Sequence, residues 1–190
     1  MKTTTQKKAQ MPYVYKTTRT PVGELKLIAT DHGLAAILWE NDKPKRVPLA
    51  PLMEDPTHPI LQQTERELGE YFDGKRTCFS VNLAAVGTEF QKRVWQALSE
   101  IPFGETRSYG EIARRIGRPS AVRAVGAANG KNPISIIVPC HRVIGASGKL
   151  TGFAGGLGIK EQLLNLESNR ETGTRKWKSN ETLAMTPQLL

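Results

Sequence analysis

The sequence predicts an α+β protein: a small β-meander unit with one helix, then a helical unit built around a helix-turn-helix. Three observations predict it. Residues 14–18, 24–29 and 34–39 are short runs of β-formers, separated by Pro21-Val22-Gly23 and Asp31-His32-Gly33. Thr88-Glu89-Phe90-Gln91 and Ser108-Tyr109-Gly110-Glu111 are capping boxes that head apolar helical stripes. Two short helical segments meet at Gly117-Arg118-Pro119, the spacing of a helix-turn-helix.

In chain order, residues 1–11 are polar and read as a disordered leader. The three β-runs follow, within an N-terminal unit spanning 12–86. Residues 41–57 carry several prolines and are expected to be loop. Ile60, Leu61, Thr64, Leu68, Tyr71 and Phe72 have helical spacing, closed by Asp73-Gly74. Phe79, Val81 and Leu83 alternate with polar neighbours, the pattern of one more strand. Nothing in this unit suggests chemistry of its own.

The second unit spans 87–168. Phe90, Val94, Leu98 and Ile101 form the stripe of its first helix, stopped by Pro102 and Gly104. Ile112, Ala113 and Ile116 face inward on the second, which Gly117 ends. Pro119-Ser120 is expected to start a third helix that runs to about residue 128. The apolar run Ile134-Ser135-Ile136-Ile137-Val138 reads as a buried strand. Gly152-Phe153-Ala154-Gly155-Gly156 is a tight-turning or flexible segment, and residues 157–167 form a last helix. From Ser168 periodicity vanishes, and residues 169–190 read as a polar tail without order.

The 190 residues carry a net charge of +9 at pH 7, which favours a polyanionic partner. Much of the excess sits at Arg107, Arg114, Arg115, Arg118, Arg123 and Lys131, against Glu105 and Glu111. No apolar run is long enough to span a bilayer, and the start lacks the apolar core of a secretory signal. A cytoplasmic location is therefore expected. The two cysteines, Cys78 and Cys140, fit a reduced compartment better than a disulfide. No Cys/His spacing indicates a metal site.

The chemistry concentrates at Pro139-Cys140-His141-Arg142. Burial raises a thiol's pKa, so a buried cysteine attacks an electrophile only if a base takes its proton. His141 is the adjacent base. A carboxylate late in the chain, Glu167, can complete a thiol–base–acid triad. The plainer alternatives are a small core cysteine beside a surface histidine and an exposed carboxylate at a helix end.

Phe90-Gln91-Lys92-Arg93-Val94-Trp95, Gly104-Glu105-Thr106-Arg107-Ser108-Tyr109, Arg123-Ala124-Val125-Gly126, Asn132-Pro133 and Pro139-Cys140-His141-Arg142-Val143-Ile144-Gly145 occur in order. In these segments the chain resembles the O6-alkylguanine-DNA alkyltransferases, also called methylated-DNA–protein-cysteine methyltransferases. The resemblance is close from about Thr88 to Glu167 and weaker over the N-terminal unit. It implies a ribonuclease-H-like N-terminal domain and a winged-helix-like DNA-binding domain. It implies direct-reversal repair, with the alkyl group moved irreversibly from O6-alkylguanine in double-stranded DNA to Cys140. O4-alkylthymine is a second candidate substrate.

The resemblance also implies the roles. His141 is the base, acting through a water. Glu167 orients it, and Asn132 holds the active-site turn. Tyr109 crowds a phosphate and contacts the target base, while Arg123 fills the space left by the extruded nucleotide. The carbonyls of Cys140 and Val143 accept from the guanine amino group, and Phe153 and Ala154 form the lid. Ala121, Ala124 and Gly126 let the recognition helix approach the minor groove. No cofactor is implied, and a monomer is expected, with cooperativity on DNA left open. Three departures stand out: Phe153 where many members carry Tyr, the larger Val122 on the recognition helix, and Ser168 after Glu167 in place of the usual Gly.

Two other readings are discriminated by chemistry. A non-catalytic alkylated-DNA binder or winged-helix regulator would not need Cys140. A cysteine hydrolase using Cys140, His141 and Glu167 would leave the helix-turn-helix unexplained.

Overall fold

The N-terminal strands are long because their turns are short. In the computed structural model, β1 (Tyr13–Thr20) and β2 (Gly23–Thr30) pair antiparallel across Pro21-Val22, with Thr20 opposite Gly23. Gly23, at φ 106°, takes the left-handed conformation that closes this turn. β3 (Gly33–Trp39) pairs antiparallel with β2. The structure describes residues 13–43, 46–49 and 51–171, so the leader of 1–11 and the tail beyond 171 lie outside the described residues.

The sheet order is β3-β2-β1-β4, where β4 (Leu52–Glu54) lies parallel to β1. Residues 41–57 are thus not all loop. A three-residue edge strand between Pro51 and Pro56 is too short to show a period. α1 (Pro59–Phe72) begins with Pro at its first position and packs Leu61 and Leu68 against Leu25 and Leu27. On the opposite face Tyr13, Ile28, Ala35 and Ala36 are covered by Val47, Leu49 and Leu52. Burial of both faces explains why β3 reads as a nearly unbroken apolar run.

The free edge of β3 is covered by two segments from further along the chain. Leu34 N donates to Asn82 O (2.8 Å) and Ala84 N to Leu34 O (2.7 Å), and Ile37 N donates to Pro133 O (2.8 Å). The strand expected at 79–83 is therefore only an isolated Leu34–Leu83 bridge. Its approach is so close that a Cβ on Gly33 would lie 2.6 Å from Asn82 O.

In the second unit, α2 (Glu89–Ser99) and α3 (Tyr109–Arg115) start at the two expected capping boxes, and both reciprocal bonds are made in each. Gly117 follows α3 at φ 70°. α4 (Val122–Gly130) starts later than expected. Ala121 N donates to Arg118 O, so Pro119 and Ser120 belong to the turn and Ala121 is the N-cap. β5 (Arg107–Ser108) pairs parallel with β6 (Val143–Ile144). α5 (Leu157–Glu171) runs past the expected end at residue 167, taking the first tail residues into the helix. One core joins the units: Leu25, Leu27, Leu61 and Leu68 belong to the same cluster as Val94, Ile112, Val125 and Leu163.

Residues 134–138, buried except for the half-buried Ile137, are not a strand. Val138 N donates to Ile134 O (3.0 Å) and Cys140 N to Val138 O (2.8 Å), folding the run into turns. Ile136 sits at φ 74°, a conformation that costs a β-branched residue about 1–3 kcal/mol. A short apolar run does not distinguish a strand from a buried turn. The side chain of Asn132 decides it: Nδ2 donates to Val138 O (2.8 Å) and Oδ1 accepts from Ile134 N (3.1 Å).

Candidate active site

The folded turn delivers Cys140 to the start of a short 3-10 segment, Cys140–Arg142, just under the surface at 3% exposure. Burial pushes its thiol pKa up. Hydrogen bonds from Asn132 and Ser135, with the charges of Arg46 and Lys160, oppose that rise without cancelling it. At neutral pH the sulfur is a thiol and needs a base.

His141 is 0% exposed, and its Nε2 lies 2.9 Å from Glu167 Oε1. A carboxylate accepts, so Nε2 carries the proton and Nδ1 holds the lone pair. Nδ1 is buried and has no hydrogen-bond partner among the described residues. Burial also pushes the His141 pKa down, against the pull of Glu167. The imidazole is therefore neutral, with one basic nitrogen free to take a proton.

Glu167, also 0% exposed, is held by five donors. Besides His141, Arg142 donates through Nε to Oε2 (2.8 Å) and through a terminal nitrogen to Oε1 (2.9 Å). Tyr71 Oη donates to Oε1 (2.8 Å), and Gly104 N to Oε2 (3.2 Å). Burial alone would raise its pKa. The hydrogen bonds of His141 and Arg142 and the Arg142 charge more than offset that and hold the carboxyl well below the usual range. The other terminal nitrogen of Arg142 donates to Ile101 O (2.6 Å), and its guanidinium stacks 5.6 Å from the Phe103 ring.

This arrangement makes stability acid-sensitive. Folding depresses the pKa of both His141 and Glu167, so each binds a proton more weakly when folded than when unfolded. Their contribution is complete at neutral pH and is lost on acidification. The loss begins below pH 6.5 for His141 and below pH 4.5 for Glu167. Thermal unfolding followed by circular dichroism should show the midpoint falling through both windows, and a flat profile from pH 7 to pH 4 would contradict the assigned charges.

Lys160 is fully buried on α5, with Nζ bonded to Val143 O (2.5 Å) and Thr151 O (2.7 Å). Burial pushes its pKa down to about 8, opposed by Cys140. The lysine thus ties the segment at Thr151 to β6. The Phe153 ring packs edge-on against Trp39 (5.5 Å) and His141 (6.4 Å). Trp39 in turn donates to Ser135 Oγ (3.3 Å), and it lies so close to Gly155 that a Cβ there would meet the indole at 2.9 Å.

Of the residues singled out from sequence, Cys140, His141, Asn132, Val143 and Glu167 converge at this centre, with Phe153 beside it. Ala154 is half-buried next to Phe153. Tyr109, the first residue of α3, is half-buried; its hydroxyl accepts from Thr151 Oγ1 (3.2 Å), and its ring lies 3.8 Å from where a Cβ on Gly126 would be. Arg123, Ala124 and Val122 are exposed on α4, Ala121 is half-buried at its cap, and none of these four touches the thiol centre. The other end of α4 does approach it, where Asn129 Nδ2 donates to Cys140 O (3.5 Å).

Tyr71, Arg142, Lys160 and Asn129 were given no role by the sequence. Lys160 and Glu167 do carry a signal, since they flank Leu163 at helical spacing on what would otherwise be an apolar stripe. Tyr71 reads as an ordinary core aromatic. Both cysteines are free, and no cluster of three metal-binding side chains exists among the described residues. No helix among them is long and apolar enough to cross a membrane.

Residues 13–85 match the ribonuclease-like domain of 6-O-methylguanine DNA methyltransferase, and residues 89–169 match its DNA binding domain. A methylated-DNA–protein-cysteine methyltransferase of Methanosarcina acetivorans is 51% identical over 156 residues, covering 82% of this chain and 98% of that one. A protein of the same name from Mycobacterium bovis is 51% identical over 158 residues, covering 82% and 93%. The crystal structure of Mycobacterium tuberculosis OGT in complex with DNA superposes with a TM-score of 0.76 at 49% identity, covering 83% of this chain and 94% of that one.

Proposed function

The chain belongs to the 6-O-methylguanine DNA methyltransferase family, and from that premise we propose that Cys140 is the atom-accepting centre of a DNA-repair methyltransferase. It takes the alkyl group from O6-alkylguanine in double-stranded DNA. The observation that carries this reading is a buried thiol beside a neutral histidine whose free nitrogen is basic and whose other nitrogen is locked to Glu167. A merely structural cysteine needs no such wiring, nor does a non-catalytic DNA binder.

The steps balance without a cofactor. His141 Nδ1 takes the Cys140 proton through a bridging water, and Glu167 stabilises the resulting imidazolium. The sulfur attacks the alkyl carbon, a C–S bond forms, and the C–O6 bond breaks with its electron pair left on the guanine, which takes up a proton at N1 while the imidazolium gives its own back to solvent. Donors at the base, Tyr109 Oη and the Ala154 amide, meet the developing charge. The carbonyls of Cys140 and Val143 accept from the exocyclic amine. The product thioether has no activated leaving group, so each chain acts once. An intact-mass measurement after incubation with a methylated duplex tests this: one methyl per chain, on Cys140, is expected, and repeated turnover or an unmodified Cys140 refutes it.

The sulfur cannot reach a stacked base, so the nucleotide must leave the duplex. α4 enters the minor groove with Ala121, Ala124 and Gly126 allowing close approach, and Arg123 fills the gap. Arg123→Ala should slow transfer from duplex about tenfold while leaving transfer from a single-stranded oligonucleotide unchanged, because only the duplex requires a wedge. Equal slowing on both would remove that role. Duplex affinity should also fall linearly with salt on logarithmic axes. A cytoplasmic setting, where thiols stay reduced, suits a free acceptor cysteine.

A further inference from the structure

Tyr71 lies in the last turn of α1, in the unit for which sequence suggested no chemistry. The side chain is fully buried, with its ring packed on Phe72 (5.3 Å), Phe79 (5.5 Å) and Phe103 (6.2 Å). Its hydroxyl donates to Glu167 Oε1 at 2.8 Å. The same oxygen receives His141 Nε2 at 2.9 Å. An oxygen shared by a phenol and an imidazole has both its place and its available charge set by the pair.

We propose that Tyr71 is a positioning residue of the transfer reaction: through its hydroxyl, the N-terminal unit fixes Glu167 Oε1 against His141 and limits the negative charge that the imidazole senses. The inference rests on the reading of His141 as the base for Cys140. That base must be neutral before the reaction and positive during it. A carboxylate facing only the imidazole would favour protonation of Nδ1 by solvent and so remove the base beforehand. Tyr71, the Arg142 fork and the Gly104 amide draw charge off Glu167 and prevent this. The charged or titratable groups around His141 are Glu167 and Lys160 on α5 and Cys140 and Arg142 in its own segment, with the Phe153 ring from the lid. Tyr71 is the contribution of α1.

The test is single-turnover transfer from an O6-methylguanine duplex, with the full chain, across about pH 5 to 9. Tyr71→Phe keeps the ring and removes only the hydroxyl. Its rate at neutral pH should fall about tenfold, and the acid limb of its profile should move up by about half a pH unit. Phe79→Leu trims a ring that packs on Tyr71 and carries no hydrogen-bonding atom. It should lower the melting temperature and leave the acid limb in place. A Tyr71→Phe profile identical to the parent overturns the proposal, as does a Phe79→Leu profile displaced as far as that of Tyr71→Phe. If the parent chain itself gains no methyl on Cys140, the underlying assignment fails and this one falls with it. A parent that transfers normally confines any failure to Tyr71.

Discussion

Cys140→Ser should leave a folded protein that binds methylated duplex and never acquires the methyl group. Serine is nearly isosteric, and the main-chain bonds of the turn, from Cys140 N to Val138 O and from Arg142 N to Pro139 O, do not involve the sulfur. What changes is the nucleophile. A hydroxyl is far less acidic than a thiol, so a neutral imidazole cannot ionise it to a useful extent. Its oxygen is also less polarisable for attack at saturated carbon. Transfer should fall by at least about 10³-fold, into the background of the mass measurement. Duplex affinity, measured by anisotropy, should stay within about twofold, because Arg123 and the exposed face of α4 are untouched. A serine variant that still carries methyl, at residue 140 or elsewhere, removes Cys140 from the acceptor role.

Glu167→Gln should be the most damaging single substitution to the fold as well as to the chemistry. The carboxylate is the sole anion against the buried Arg142 guanidinium among the described residues. An amide offers one acceptor atom where there were two and turns an NH₂ toward other donors. Breaking a buried pair from one side costs about 3–5 kcal/mol, which for a chain of this size lowers the melting temperature by roughly 10 °C. Transfer should fall about 10²-fold or more, since the imidazole loses the partner that sets its tautomer and stabilises its cation. The Glu167 share of the loss below pH 4.5 should disappear from the unfolding profile, while the His141 window and the losses at other depressed carboxylates such as Glu67 remain. A variant as stable as the parent at pH 7 would mean that Arg142 has found another partner and that the network is not the support described here.

Local signals were the most legible part of the chain. Thr88 and Ser108 announce α2 and α3 because a cap is a contract between residues three apart, readable without knowledge of the rest. The Cys140-His141 pair was legible from the chemistry of a buried thiol, whereas Glu167 was marked by the family resemblance, since a carboxylate late in a helix reads more plainly as an exposed helix end. The misreadings have two causes: partners distant in sequence for the strands, and side-chain-to-backbone bonds that a short apolar run does not reveal for the turns. β4 exists because Leu52 meets Tyr13, the expected strand at 79–83 is reduced by how Asn82 and Ala84 meet β3, and the turns at 134–138 are set by Asn132. Tyr71 illustrates the limit. A tyrosine on an apolar helical stripe has the same local pattern whether its hydroxyl meets solvent or a carboxylate 96 positions later.

The unbroken core shared by the two halves bears on how this protein can be altered. Its front half is neither a spacer nor a removable prologue, since Ile37 of β3 holds the turn at Pro133 and Tyr71 of α1 holds Glu167. A hybrid pairing this alkyl acceptor with a foreign first half would have to reproduce that supporting wall atom for atom, and so the two parts are constrained to change in step.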